Sequence, residues 1–309
     1  MNESSSLATG NWELITDNFY TPADSILASG CLSFKRQQEH RHLWGSGANR
    51  KYLLAALLAP ALKRGAPAKM IIDNVAYQQD DTVLQGYLAY DSALKGSRPG
   101  VLVVHEWWGL NDYAKMRARQ LAEMGYVALA ADMYGDGWVT QDPQEAARRA
   151  GSLKGTPLMR KRARAGLKAL ARQKLVDPKR LAAIGFCFGG TTVLELAFSG
   201  ADLAGVVSFH GGLIPARPGD LKNMKAKISV LHGADDPHVQ AEDIAAFQEA
   251  LRQAGADWQM IYYGGAVHTF SNPGAGSDKS TGSAYDARTA HRAWQQMQLF
   301  FQEIFSASE

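Results

Sequence analysis

The sequence from Met70 onward predicts an α/β fold, a mostly parallel central sheet with helices on both faces. Three observations lead there. Apolar runs too short for helices recur along the chain, as in Gly100-Val-Leu-Val-Val104 and Leu181-Ala-Ala-Ile-Gly-Phe186. Segments with helical spacing of apolar residues lie between them. This alternation of buried strand and helix is what a covered parallel sheet requires.

Taken in order, Met70–Tyr77 and Thr82–Tyr90 are β-rich runs around Gln78-Gln-Asp-Asp81 and predict a hairpin. The run 100–104 predicts a strand buried on both faces, followed by a helix over Tyr113–Met124 and a strand over Tyr126–Ala131. Arg160–Lys174 predicts a helix, then Leu181–Phe186 a strand, Thr191–Phe198 a helix and Ala204–Phe209 a strand. Ile228–Leu231 and Gln259–Tyr263 predict strands flanking a helix over Ala241–Gln253, and Tyr285–Phe305 predicts a closing helix. No internal repeat or low-complexity linker interrupts residues 70–309, which read as one domain.

Residues 1–69 read differently. They form an extension rich in Ser, Asn, Gln and Gly without sustained periodicity, apart from a short apolar segment at 52–62. That segment is too short for a membrane span, which needs about 20 apolar residues. Its basic flank and length suit the core of a signal peptide, but some 50 residues precede it. A short amphipathic helix and a cytoplasmic location are expected, with export to the periplasm as the alternative. Among 309 residues, 33 Lys and Arg against 30 Asp and Glu leave a formal charge of +3, which gives no reason to expect a nucleic-acid partner. Two cysteines cannot staple a chain of this length. The expected partner is a small molecule and the expected state a monomer.

The chemistry concentrates in Gly185-Phe-Cys-Phe-Gly-Gly190, between a buried strand and a helix. This is the pattern of a nucleophile elbow, with Cys187 where Ser is usual. The competing reading is a small buried core thiol. Free N–H groups at the helix start can stabilise a thiolate and a developing oxyanion, which makes the Phe188 N–H a candidate donor. Such a nucleophile needs a downstream carboxylate and then a histidine. Asp235 and Asp236 follow one strand, and His268 follows the next in a Gly-rich loop. The pair of aspartates is not separated by sequence alone. His232, Asp235, Asp236 and His238 lack metal-ligand spacing, and nothing else calls for a metal or cofactor. His105 and His210 end strands and could line a pocket; His291 reads as a solvated helix residue. In His105-Glu-Trp-Trp-Gly109 the Trp107 N–H is the candidate second oxyanion donor. Trp108 reads as core or substrate wall, and Glu106 as a surface carboxylate. The seven basic residues of Arg160–Lys174 read as the solvated face of an amphipathic helix.

With these segments together, residues from about Met70 to Phe305 resemble the dienelactone hydrolase family of α/β-hydrolases. The resemblance rests on His105-Glu-Trp-Trp-Gly109, Ala131-Asp-Met-Tyr-Gly135, Gly185-Phe-Cys-Phe-Gly-Gly190, His232-Gly-Ala-Asp-Asp-Pro-His-Val239 and Gly265-Ala-Val-His-Thr-Phe270. It implies an α/β-hydrolase fold, with Cys187 as nucleophile, His268 as base and Asp236 as acid. It also implies that Glu106 contacts the resting thiol until substrate displaces it. Thr269 stands where the family often has Ser, and Arg149, beside Arg148, is the candidate for holding a substrate carboxylate. The implied activity is carboxymethylenebutenolidase-like cleavage of a small activated lactone or ester through an acyl-enzyme. A general carboxylesterase or thioesterase, or a non-catalytic binding protein, is the alternative.

Overall fold

The computed structural model describes residues 69–217 and 219–306. The readings made on the extension, including segment 52–62, Cys31, His40 and His42, lie outside the described residues. Eight strands form one sheet: β1 (Met70–Gln79), β2 (Thr82–Asp91), β3 (Arg98–Val104), β4 (Val127–Ala131), β5 (Val176–Phe186), β6 (Gly205–Phe209), β7 (Lys227–Gly233) and β8 (Trp258–Tyr263). Their spatial order is β1-β2-β4-β3-β5-β6-β7-β8. The hairpin β1–β2 and the β2–β4 pairing are antiparallel, and every pairing from β4 to β8 is parallel.

The helices are α1 (Asp112–Glu123), α2 (Pro143–Leu153), α3 (Pro157–Ala171), α4 (Phe188–Phe198), α5 (Ala241–Gln253) and α6 (Ala287–Ser306). Successive side chains of a strand point to opposite faces, so β3 feeds two cores. Leu102 and Val104 belong to the core that also takes in buried residues of α3, α4 and α5, whereas Val101 and Val103 belong to the one that takes in α1 and α6. Both faces are therefore covered, as the uninterrupted apolar strands require.

Helix α2 was not expected, because its sequence is mostly polar. Its start was nonetheless written in Asp142-Pro143: the Asp142 side chain accepts from the Gln144 N–H, and Pro143 sits where a missing N–H costs nothing. Helix α3 is amphipathic as expected, burying Met159, Ala163, Leu167 and Leu170. Its basic face is not simply solvated, however. Arg160 binds Glu195 on α4 at 2.6 Å and Asp220 at 2.6 Å. Arg162 donates to the Met133 carbonyl and Arg164 to the Ser199 carbonyl. Three of the seven basic side chains are thus hydrogen-bonded to the body of the fold.

Candidate active site

The elbow is built by close backbone approach. Strand β5 enters it at Gly185, α4 leaves at Phe188, and Cys187 between them has φ 53°, a strained value for a side chain other than glycine. A Cβ at Gly185 would lie 2.0 Å from the Gly189 carbonyl oxygen, and one at Gly189 would lie 2.2 Å from that of Val104. Only glycine allows both contacts. The Cys187 N–H is held from below by the Phe209 carbonyl at 3.0 Å and by His210 Nδ1 at 3.2 Å.

Asp236 follows β7 and His268 follows β8, at the same end of the sheet. His268 Nδ1 lies 2.7 Å from Asp236 Oδ2, and His268 Nε2 lies 3.1 Å from Cys187 Sγ. Asp235 is exposed and takes no part. The other Asp236 oxygen accepts the His238 N–H at 2.9 Å, which fixes the carboxylate. Burial opposes an imidazolium at His268, but the Cys187 sulfur and the Asp236 carboxylate outweigh it and push the pKa up to about 10. Burial likewise opposes the Asp236 carboxylate, and its bond to His268 holds it below the usual range all the same. The arrangement favours a proton on His268, held between the Asp236 carboxylate and the Cys187 sulfur.

The cleft above these groups is about 610 Å³, with Glu106, Trp107, Trp108, His238 and Thr269 among its walls. Trp107 and Trp108 meet edge to face, with ring centroids 4.8 Å apart. Tyr134 Oη donates to the Trp107 carbonyl at 3.0 Å and holds that loop. Neither the Trp107 nor the Phe188 N–H is taken by a turn or loop hydrogen bond among the described residues, so both are free to serve an oxyanion. Thr269 has φ 59°, which turns the chain sharply after His268.

Several expectations change here. Glu106 is buried, not on the surface, and its Oε2 accepts from Asn272 Nδ2 at 2.6 Å rather than meeting the thiol. The sulfur is paired with His268 while Glu106 is held by Asn272, so the implied resting contact is not the one adopted. Burial raises the Glu106 pKa to about 7, against the pull of Asn272, His268 and Arg117. Arg149 does not line the cleft: its guanidinium lies 4.7 Å from the Trp138 ring centroid. Arg148 is exposed and paired with Glu145. His105 and His210 are fully buried behind the cleft.

Sequence reasoning missed Asn272 and the layer beneath the triad. Asn272 is fixed by accepting the Gly274 N–H at 2.9 Å, and the Asn-Pro step at 272–273 was its only sequence signal. His210 Nε2 meets Ser271 Oγ at 2.7 Å, Ser271 Oγ meets Tyr113 Oη at 2.7 Å, and Arg117 donates to the Ser271 carbonyl at 2.7 Å. Burial, reinforced by the charges of His268 and Arg117, keeps the His210 pKa well below the usual histidine value. The neutral ring can therefore accept from the Cys187 N–H on one side and donate to Ser271 on the other.

The chain matches the model of the dienelactone hydrolase family over residues 84–305. A Methylorubrum extorquens protein provisionally named a carboxymethylenebutenolidase is 30% identical, over 76% of this chain and 81% of its own length. A solved dienelactone hydrolase-like promiscuous phosphotriesterase from metagenomic libraries is 45% identical with a TM-score of 0.74, covering 77% of this chain and 99% of its own. A second solved structure, titled m3DLH, is 44% identical with a TM-score of 0.74, over 76% and 98% of the two chains. By the reach of the family model and by these likenesses, the chain belongs to the dienelactone hydrolase family, ester hydrolases of the α/β-hydrolase fold.

Proposed function

We propose that this protein cleaves small activated esters and lactones by a Cys187–His268–Asp236 triad through an acyl-enzyme. The observation that carries the reading is the unbroken contact from Cys187 Sγ to His268 Nε2 and from His268 Nδ1 to Asp236. The thiolate attacks the carbonyl carbon, and charge develops on the oxygen facing the Trp107 and Phe188 N–H groups. The tetrahedral intermediate collapses as His268 gives its proton to the departing alkoxide or enolate, leaving a thioester on Cys187. His268, now neutral, takes a proton from water, whose oxygen attacks the thioester; collapse returns the thiolate–imidazolium pair and releases the acid. Asp236 holds the imidazole tautomer throughout. Sulfur suits leaving groups that depart easily, which favours enol-lactones, aryl esters and thioesters.

The likeness to a phosphotriesterase supports a second substrate. A neutral phosphotriester presents an electrophilic centre and an oxygen to the same attacking thiolate and donors, and the cleft holds no Lys or Arg among its described walls to select for an anion.

The test is turnover of dienelactone and of p-nitrophenyl acetate by wild type, Cys187→Ala and His268→Ala. Each substitution is expected to lower kcat/KM by about 10³-fold or more. Wild-type turnover in both variants would overturn the mechanism.

A further inference from the structure

Beside the cleft lies a second groove of about 660 Å³, and Trp108, Asn272 and Gly274 are walls of both spaces. Either one falls within the range of about 300–1,000 Å³ that holds a drug-sized ligand, far more than a six-carbon lactone fills. The walls of the second groove are fixed. The Thr140 N–H donates to the Trp108 carbonyl at 3.0 Å, and Gly109 and Val139 form a β-bridge. Asp132, fully buried, gathers the Tyr134, Gly135 and Gly137 N–H groups and so holds the loop that leads to Val139.

The lining has a definite chemistry. Trp108 and Val139 offer apolar surface, and Val139 is 50% exposed. Asn111, Thr140 and Gln141 offer hydrogen-bonding groups, while Asp112 and Lys115 bring one charge of each sign. Such a surface suits an uncharged chain that carries ether, hydroxyl or amide groups, because a net charge of either sign would meet a like charge at Asp112 or Lys115.

We propose that this groove is a second substrate compartment, holding an uncharged, hydrogen-bonding arm of an ester whose reacting carbonyl sits at Cys187. The proposal deepens the hydrolase reading and rests on it for turnover, but the groove can be read by binding alone. Trp108 is then the divider that separates the reacting end from the arm.

Two ester pairs test it: p-nitrophenyl acetate against the same ester with an acyl chain ending in triethylene glycol, and phenyl acetate with and without that glycol chain on the ring. In at least one pair the extended ester is expected to have a kcat/KM about tenfold higher, and Val139→Trp or Gln141→Trp, which fill the groove from exposed positions, should return the ratio to about one. Ratios near one in both pairs for wild type, or a raised ratio that survives both substitutions, would overturn the proposal. The binding arm uses Cys187→Ala, titrated with the glycol esters by tryptophan fluorescence. Adding Val139→Trp should weaken binding of the favoured ester by about fivefold or more. Loss of that discrimination counts against the groove. Intact discrimination in a protein that turns over neither ester pair would sink the hydrolase reading and leave the groove standing.

Discussion

Glu106 shows what one buried carboxylate does to a fold. One oxygen is bonded to Asn272 and the other has no hydrogen-bond partner among the described residues. Burial raises its pKa from about 4.5 to about 7. Between those values the unfolded chain releases the proton first, so stability falls as pH rises through the window, and the full cost applies above pH 7. That cost is about 3 kcal/mol by proton linkage. Glu106→Gln keeps an acceptor for Asn272 and removes the charge. It is expected to be more stable than wild type by about 1–3 kcal/mol at pH 8, with the gain vanishing near pH 4. Urea unfolding at the two pH values measures this, and a gain independent of pH would refute it. Cys187 and His268 were legible in the sequence because each stands in a short local pattern. Asn272 was not, because its partner lies 166 residues away and nothing in either loop announces the other.

The elbow is the element whose sequence and geometry agree most closely. Gly185 and Gly189 were expected from the need for close approach, and the atoms they would strike are main-chain carbonyls, which cannot swing aside. Gly189→Ala must push the start of α4 away from the ends of β3. It is expected to cost about 2–4 kcal/mol and to misplace the sulfur, which thermal unfolding and kcat will report together. Wild-type stability with an alanine there would mean that β3 and α4 can separate freely. Other elements were harder to read. Helix α2 was missed because its apolar residues are few and small, with Ala146, Ala150 and Leu153 the buried ones. The start of α4 was placed three residues late, since Phe188-Gly-Gly190 looks like a loop until the elbow is recognised as a helix cap.

Across the molecule, the alternation of apolar runs and amphipathic segments gave the fold class, and the hairpin at 70–90 was correctly expected. The strand order was beyond it: β4 lies between β2 and β3, an arrangement set by crossovers rather than by any one segment. Long-range polar ties were equally hidden. Arg160 joins α3 to α4 and to the loop at Asp220, with only 15% of its side chain exposed and 3% of Glu195. Arg160→Met would leave the Glu195 carboxylate buried and unpaired, at an expected cost of about 3 kcal/mol in urea unfolding. Replacing Glu195 by Gln in the same chain should recover part of it, and no recovery would show that Arg160 stabilises through packing alone.

The three residues of the proposed triad leave the sheet after β5, β7 and β8, whereas Trp108, Val139 and Gln141 hang from the ends of β3 and β4. On the proposals made above, substrate choice and bond breaking are written largely apart, and they meet at Trp107–Trp108 and at Asn272. If the groove holds the substrate's arm, exchanging the stretch that carries Val139 and Gln141 would change the diet and leave the triad where it stands.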